Sequence, residues 1–205
     1  MHAFVNNLPI FANCSAVVAQ LYQKWYSYGM TYYDDIYEHA VDNYYLITTG
    51  EAAEIGAPGI ELAKLAHRGK LENLARGLYR LARYVPSEFD PYAIAVAKVG
   101  PEAYLYGESV LALLNLAPTN PTYMCVATPK RVRKRLPKSF RVYRVEDGNA
   151  LTMYEGIRSQ KVKDAIVACR KTMMDDRLQE AALRARERGY ITAKEEVALK
   201  EEMKW

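Results

Sequence analysis

The chain has 205 residues, 28 of them Lys or Arg and 24 Asp or Glu, giving a formal net charge of +4, and half of its residues are apolar. That is the balance of a soluble globular protein of one or two domains, each with its own core. It allows a polyanionic partner without requiring one, because what matters is where the positive charge sits. No apolar run reaches the roughly 18 residues of a membrane span. Cys14, Cys125 and Cys169 are odd in number and far apart, which excludes a disulfide framework. His2, His39 and His67 are equally scattered, so no metal pair is spelled out. The thiols are expected reduced and mostly buried, in a cytoplasmic protein.

In chain order, residues 1–29 hold a single charge, Lys24, and normal charge density begins at Met30. Two readings fit: a dispensable extension before a natural start at Met30, or an extra helix, Ser15 to Tyr28, packing Val17, Val18, Leu21 and Trp25. A signal peptide is not expected, because the basic n-region is missing and Asn6, Asn7, Pro9 and Asn13 interrupt the apolar stretch. Tyr32 to Tyr45 reads as a helix, with Ile36, Tyr37, Ala40, Val41 and Tyr44 at helical spacing and Asp34 and Asp35 in its first turn.

Thr48-Thr49-Gly50-Glu51 fits a capping box that starts a short helix through Ala52, Ala53 and Ile55. Gly56 can end it, and Pro58 suits the first position of a second helix that carries Leu62, Leu65 and Ala66 on one face and closes at Gly69. Leu71 to Ala75 and Leu78 to Leu81 read as two strands with Arg76-Gly77 at the turn. Two helices, a tight connection and a β-ribbon predict a winged helix-turn-helix, within a DNA-binding domain over residues 30–84. With Leu62 and Leu65 buried, the second helix presents Glu61, Lys64, His67 and Arg68. Lysine and arginine can donate to guanine in a major groove, and a carboxylate can accept from cytosine N4. Lys64, Arg68, Lys70, Arg76, Arg80 and Arg83 stand against one acid, Glu72. A ribbon carrying Arg76 and Arg80 would reach phosphate or the minor groove.

Residues 85–205 read as a mixed α+β domain, so the expected fold class is α+β throughout. Asp90 is placed as a helix N-cap with Pro91 at the first position, and that helix runs to Val99 and ends at Gly100. A second helix is expected over Glu108 to Leu116, strands over Thr122 to Ala127, Phe140 to Val145 and Leu151 to Tyr154, and helices over Lys161 to Arg170, Asp175 to Arg188 and Ala193 to Met203. Pro129 to Arg144 holds Lys130, Arg131, Arg133, Lys134, Arg135, Lys138, Arg141 and Arg144 and no acid. A run that dense favours a polyanion over a merely solvated face.

Catalysis is not expected. Glu108-Ser109 after Gly107 is not a nucleophile elbow, and no histidine lies in the C-terminal half to activate the serine. Asp147, Glu155 and Asp164 with Lys161 form a conceivable metal-dependent nuclease set, but surface carboxylates are commoner. There is no P-loop, no glycine-rich fingerprint after a strand and no cofactor motif, so neither cofactor nor metal is expected.

The run Leu46-Ile-Thr-Thr-Gly-Glu-Ala-Ala-Glu-Ile-Gly56, with Leu65-Ala-His-Arg-Gly-Lys-Leu71 and Ala75-Arg-Gly-Leu-Tyr-Arg-Leu-Ala82, resembles the AbiEi antitoxins of type IV toxin–antitoxin systems. Tyr104-Leu-Tyr-Gly-Glu-Ser-Val-Leu-Ala-Leu113, Val126-Ala-Thr-Pro-Lys-Arg-Val-Arg-Lys-Arg-Leu-Pro137 and Tyr154-Glu-Gly-Ile157 extend the likeness to roughly residues 31–203. The resemblance implies a bacterial, phage-defence setting and a protein with two roles. Its winged helix would bind operator DNA at inverted repeats, with two copies on the DNA, and repress its own operon. Its C-terminal domain would counteract, directly or indirectly, a toxin that looks like a nucleotidyltransferase. By position the recognition helix is Pro58 to Arg68 and the wing Leu71 to Leu81. The basic stretch would then meet DNA flanking the operator, tRNA or nucleotide competing with the toxin, or an acidic toxin surface. Two departures stand out: Ala57-Pro58-Gly59 replaces the polar residues that usually start the recognition helix, and Arg158 replaces a proline common after Gly-Ile. A stand-alone winged-helix transcription factor with an effector-binding or dimerising C-terminal half is the alternative.

Overall fold

A computed structural model describes residues 32–117, 122–146 and 151–205. The readings placed on residues 1–29, on Met30 and on Asp147 lie outside the described residues.

Helix α1, Tyr32–Val41, buries Ile36 and Ala40, which stand four residues apart on one face. It ends earlier than its apolar spacing predicts. Tyr44 and Tyr45 take left-handed backbone, φ 54° and 58°, and turn the chain into strand β1, Leu46–Thr48. That conformation costs a non-glycine residue about 1–2 kcal/mol. It is held by packing on both sides. Tyr45 joins the cluster around Ile36, whereas Tyr44 packs against a second cluster and donates its hydroxyl to the Glu155 carbonyl.

The capping box forms as expected at the start of α2, Thr49–Glu54. Thr48 Oγ1 accepts from the Glu51 N–H at 3.2 Å, and the Glu51 carboxylate accepts from the Thr48 N–H at 2.8 Å. Gly56, at φ 80°, ends the helix. Pro58 is the N-cap of α3, Gly59–His67, and not its first residue, because its ψ of 143° is still extended. Strands β2, Leu71–Ala75, and β3, Leu78–Leu81, fall where alternation places them. The turn between them needs Gly77, since φ is +76° and a Cβ there would lie 3.0 Å from Thr49 Oγ1.

Strand β1 was not legible as a strand, yet it completes an antiparallel sheet of order β1-β3-β2. Leu46 pairs with Arg80, Ile47 with Tyr79 and Thr48 with Leu78. Successive side chains point to opposite faces. Ile47, Leu71, Tyr79 and Leu81 therefore pack with Ile36, Ala40, Leu62 and Leu65, while Leu46 and Leu78 join a separate core with Leu105, Leu111 and Ile166. The sheet is apolar on both sides.

The rest is mixed α+β, as expected. Helix α4, Asp90–Val99, starts one residue earlier than read: Phe89 is the N-cap, and the Asp90 carboxylate accepts from the Ser87 N–H at 3.2 Å. Helix α4 touches both β1 and the second sheet, whose order is β6-β5-β4-β8-β7. Its strands are β4 Tyr104–Leu105, β5 Met124–Thr128, β6 Phe140–Arg144, β7 Leu151–Tyr154 and β8 Ile157–Gln160. Strands β4 and β8 escaped the sequence reading. One has two residues, and the other ends on Ser159 and Gln160, which are polar but buried. Gln160 Oε1 is satisfied by the Gly107 N–H at 3.1 Å. Helices α5 Glu108–Leu113, α6 Val162–Ala168, α7 Asp175–Glu187 and α8 Ala193–Met203 close the core around Leu111, Ile166, Leu178 and Leu199. Helix α5 is shorter than expected, and the end of the Lys161 to Arg170 helix is a 3-10 turn, Cys169–Lys171.

Leu78 should behave as a core residue of the C-terminal cluster despite its place in the hairpin. Leu78→Ala is expected to cost about 2–5 kcal/mol in urea unfolding; a loss below about 1 kcal/mol would mean the outer face of the sheet is not packed.

Candidate nucleic-acid interface

The face of α3 opposite Leu62 and Leu65 is open. Lys64, His67 and Arg68 are exposed and Glu61 is half-buried. Lys64 Nζ lies 2.7 Å from Glu61 Oε1, so two of the expected base readers are paired with each other in the free protein. An exposed pair three residues apart is worth only about 0.2–1 kcal/mol, which a nucleic acid can exchange for its own contacts. Sequence reading missed Ile60, which is 61% exposed. It precedes Lys64 by four residues and His67 by seven, so all three share one face. Its signal was an apolar residue off the Leu62–Leu65 stripe. Exposed apolar groups on a helix of this kind can meet thymine methyls.

The remaining cations divide. Lys70 is exposed just after α3, its ammonium 5.6 Å from the centre of the Tyr33 ring. Arg80 is engaged inside the hairpin. Its Nη2 lies 2.6 Å from Glu72 Oε2, its guanidinium stacks 3.9 Å from the Tyr84 ring centre, and its side chain is 14% exposed. A phosphate contact by Arg80 would have to break that arrangement. Arg76 is exposed at the hairpin turn, separated from Lys70 by the length of β2, roughly 15–20 Å.

The basic stretch forms the loop 129–139 joining β5 to β6, which run parallel. Val132 and Leu136 pack onto the C-terminal core and pin the loop. Arg131, Arg133, Lys134, Arg135 and Lys138 remain exposed, with no ion pair among the described residues. Lys130 is paired with Glu102 at 2.5 Å, Arg144 with Glu146 at 2.6 Å, and the Arg141 guanidinium stacks 3.8 Å from the Tyr123 ring centre. Lys134 and Arg135 share a cleft with Arg76, so two groups of cations separated in sequence meet there.

Of the residues considered for catalysis, Ser109 has a structural duty. Ser109 is buried, and its Oγ accepts from the Cys125 N–H at 2.7 Å. The Glu155 side chain is exposed; burial pushes the Asp164 carboxyl up against the pull of Lys163 and Lys161. Among the described residues no group of three or more His, Cys, Asp or Glu is arranged to hold a metal ion. Among the described residues, too, no helix is long and apolar enough to cross a membrane.

Residues 34–82 match a family model described as a transcriptional regulator, AbiEi antitoxin. The resemblance read from the sequence therefore holds over α1 to the end of the hairpin; the C-terminal motifs lie outside the matched segment. The segment is thus similar to transcriptional regulators of that description. No curated protein matches the chain significantly. Among solved structures, the RV2827C protein from Mycobacterium tuberculosis is similar at 16% identity over 80% of this chain and 78% of that one, with a TM-score of 0.40.

The two described cysteines are free and buried. Burial, with Glu108 nearby, pushes the Cys169 thiol up to about 12, and burial also pushes Cys125 up. At pH 8 only about one Cys169 thiol in ten thousand would be ionised, and the thiolate is the reactive form. Peptide mapping after alkylation at pH 8 should find both cysteines unmodified in the folded protein and modified after unfolding. Fast labelling of either in the folded state would contradict this placement.

Proposed function

We propose that residues 30–84 are a winged helix-turn-helix that binds operator DNA and represses the protein's own operon, and that residues 85–205 are the antitoxin domain. The observation that carries the reading is α3. Leu62 and Leu65 anchor it, the open face shows Ile60, Lys64, His67 and Arg68, and the segment that contains it is the one matching the antitoxin regulator family.

In this reading α3 enters the major groove. Lys64 and Arg68 donate to guanine O6 and N7, Ile60 packs on thymine methyls, and Glu61, released from Lys64, accepts from cytosine N4. Lys70 and Arg76 hold phosphates and set the salt dependence without choosing sequence. Two copies meet the two halves of an inverted repeat. The cytoplasmic C-terminal half counteracts a nucleotidyltransferase-like toxin. The unpaired cations Arg131, Arg133, Lys134, Arg135 and Lys138 are the surface it offers, either to an acidic face of the toxin or to the polyanion the toxin needs. No catalytic step is assigned to the chain.

Gel shifts on the operon's own promoter test the first half. Lys64→Ala and Arg68→Ala should each weaken binding by about 1–3 kcal/mol, and Ile60→Ala should change base preference while leaving the salt slope unaltered. Normal operator binding by both cation variants would sink the docking model. Growth rescue tests the second half. The triple variant Arg133→Ala, Lys134→Ala, Arg135→Ala should keep operator specificity and lose neutralisation of the co-expressed toxin; full rescue by the triple variant would remove the basic loop from the antitoxin role.

A further inference from the structure

One cleft gathers cations from both halves: Arg76 of the hairpin turn and Lys134 and Arg135 of the basic loop line it together. Its volume is about 670 Å³, and its walls are the hairpin turn, the first turn of α2, one side of α4, the loop 134–137 and the β7–β8 turn. Five cations line it: Arg76, Lys98, Lys134, Arg135 and Arg158. Against them stand two acids, Glu51 and Glu54, and the Glu51 carboxylate is already engaged by the Thr48 N–H. Arg158 donates to the Pro101 carbonyl at 2.6 Å. Among the described residues, the other four cations have no ion pair and no hydrogen bond from their side chains.

Cations from four separate parts of the chain, outnumbering the carboxylates of one concavity by five to two, repel each other and raise the local concentration of anions. One wall is apolar, with Leu74, Val96, Ala97, Leu136 and Met153 and the Tyr44 ring beside them, while Asn43, Thr48 and Thr49 add uncharged polar groups elsewhere. The volume lies in the range of small-molecule sites, roughly 300–1,000 Å³, and is too small for a duplex. Cations along one part and an apolar, aromatic wall along another suit a ligand that carries several negative charges and a flat apolar group.

We propose that this cleft binds a nucleoside polyphosphate, its phosphates held by Arg76, Lys134 and Arg135 and its base laid on the wall of Tyr44, Val96 and Ala97. The ligand would touch both the hairpin turn and the C-terminal half. The proposal does not rest on base reading, since none of Ile60, Lys64, His67 or Arg68 lines the cleft; Arg76 alone is shared with the phosphate contacts proposed for operator DNA.

Titration calorimetry on the full chain, with CTP, ATP and inorganic triphosphate as probes, tests this. The nucleoside triphosphates should bind once per chain, and at least tenfold more tightly than inorganic triphosphate. The double variant Arg76→Glu, Arg135→Glu should lose at least tenfold for all three probes. Ala97→Phe keeps every charge and fills the apolar wall, so it should weaken the nucleoside triphosphates and leave inorganic triphosphate unchanged. Thermal melting verifies that both variants fold; should the charge reversals shift the melt, Arg76→Ala, Arg135→Ala replaces them. No saturable binding, equal binding of inorganic triphosphate, or binding indifferent to both variants would each overturn the proposal. Normal promoter binding alongside any of these results would leave the repressor reading standing.

Discussion

The arrangement of this molecule depends on a three-stranded sheet that is apolar on both faces. Strand pleating sends neighbouring side chains to opposite sides, and here each side carries apolar residues buried in a core. Tyr79 and Leu81 look into the cluster that seats α3; Leu78, between them and the turn, looks into the core of the C-terminal half. Removing apolar surface from water stabilises at about 25 cal/mol per Å², so the two halves share a wall that each needs. The left-handed pair Tyr44 and Tyr45 serves the same end, one ring to each core. The Tyr44 hydroxyl on the Glu155 carbonyl adds a polar tie at the edge.

This shared wall governs what the hairpin can do. A wing that stood clear of the body would offer both of its faces to DNA. In this chain β1 pairs along β3, and the turn at Arg76-Gly77 sits against Thr49 and looks across a cleft at Lys134 and Arg135. The proposed base-reading face is consequently concentrated on α3, while the cations at the far end of the hairpin belong to a different concavity. Chemistry at the two places is separable because the length of a strand lies between them.

Counting positive charges in sequence overstates the free ones. Arg80 is spent on Glu72 and Tyr84, Lys130 on Glu102, Arg144 on Glu146 and Arg141 on Tyr123. What remains on the loop 129–139 is exposed because Val132 and Leu136 turn inward and leave the intervening cations outward. A basic loop pinned by two apolar residues is a fixed surface, with less conformational freedom to lose on meeting an anion than an untethered tail.

Local chemistry was largely legible, although Pro58 and Asp90 each sit one position from where their helix starts were read. The Thr48–Glu51 capping box, the glycine stops at Gly56 and Gly69, and the hairpin with Arg76-Gly77 at its turn are each decided by residues within a few positions of one another, and so is the Leu62–Leu65 stripe that defines the open face of α3. The α+β class and the helices of the C-terminal half follow from the same short-range signals. What escaped was everything decided at a distance. Strands β1, β4 and β8 are too short or too buried to alternate, and only their partners make them strands. The capture of Arg80 by its cross-strand partner Glu72 depends on the hairpin register, the exposure of Ile60 on which face of α3 is covered, and the meeting of Arg76 with Lys134 and Arg135 on how the two halves pack. The sequence by itself determined the helices, the hairpin and the family likeness of residues 34–82, because caps, periods and turns are local. Tertiary structure alone decided which cations are free and where they converge, because charge pairing and burial are set by neighbours in space.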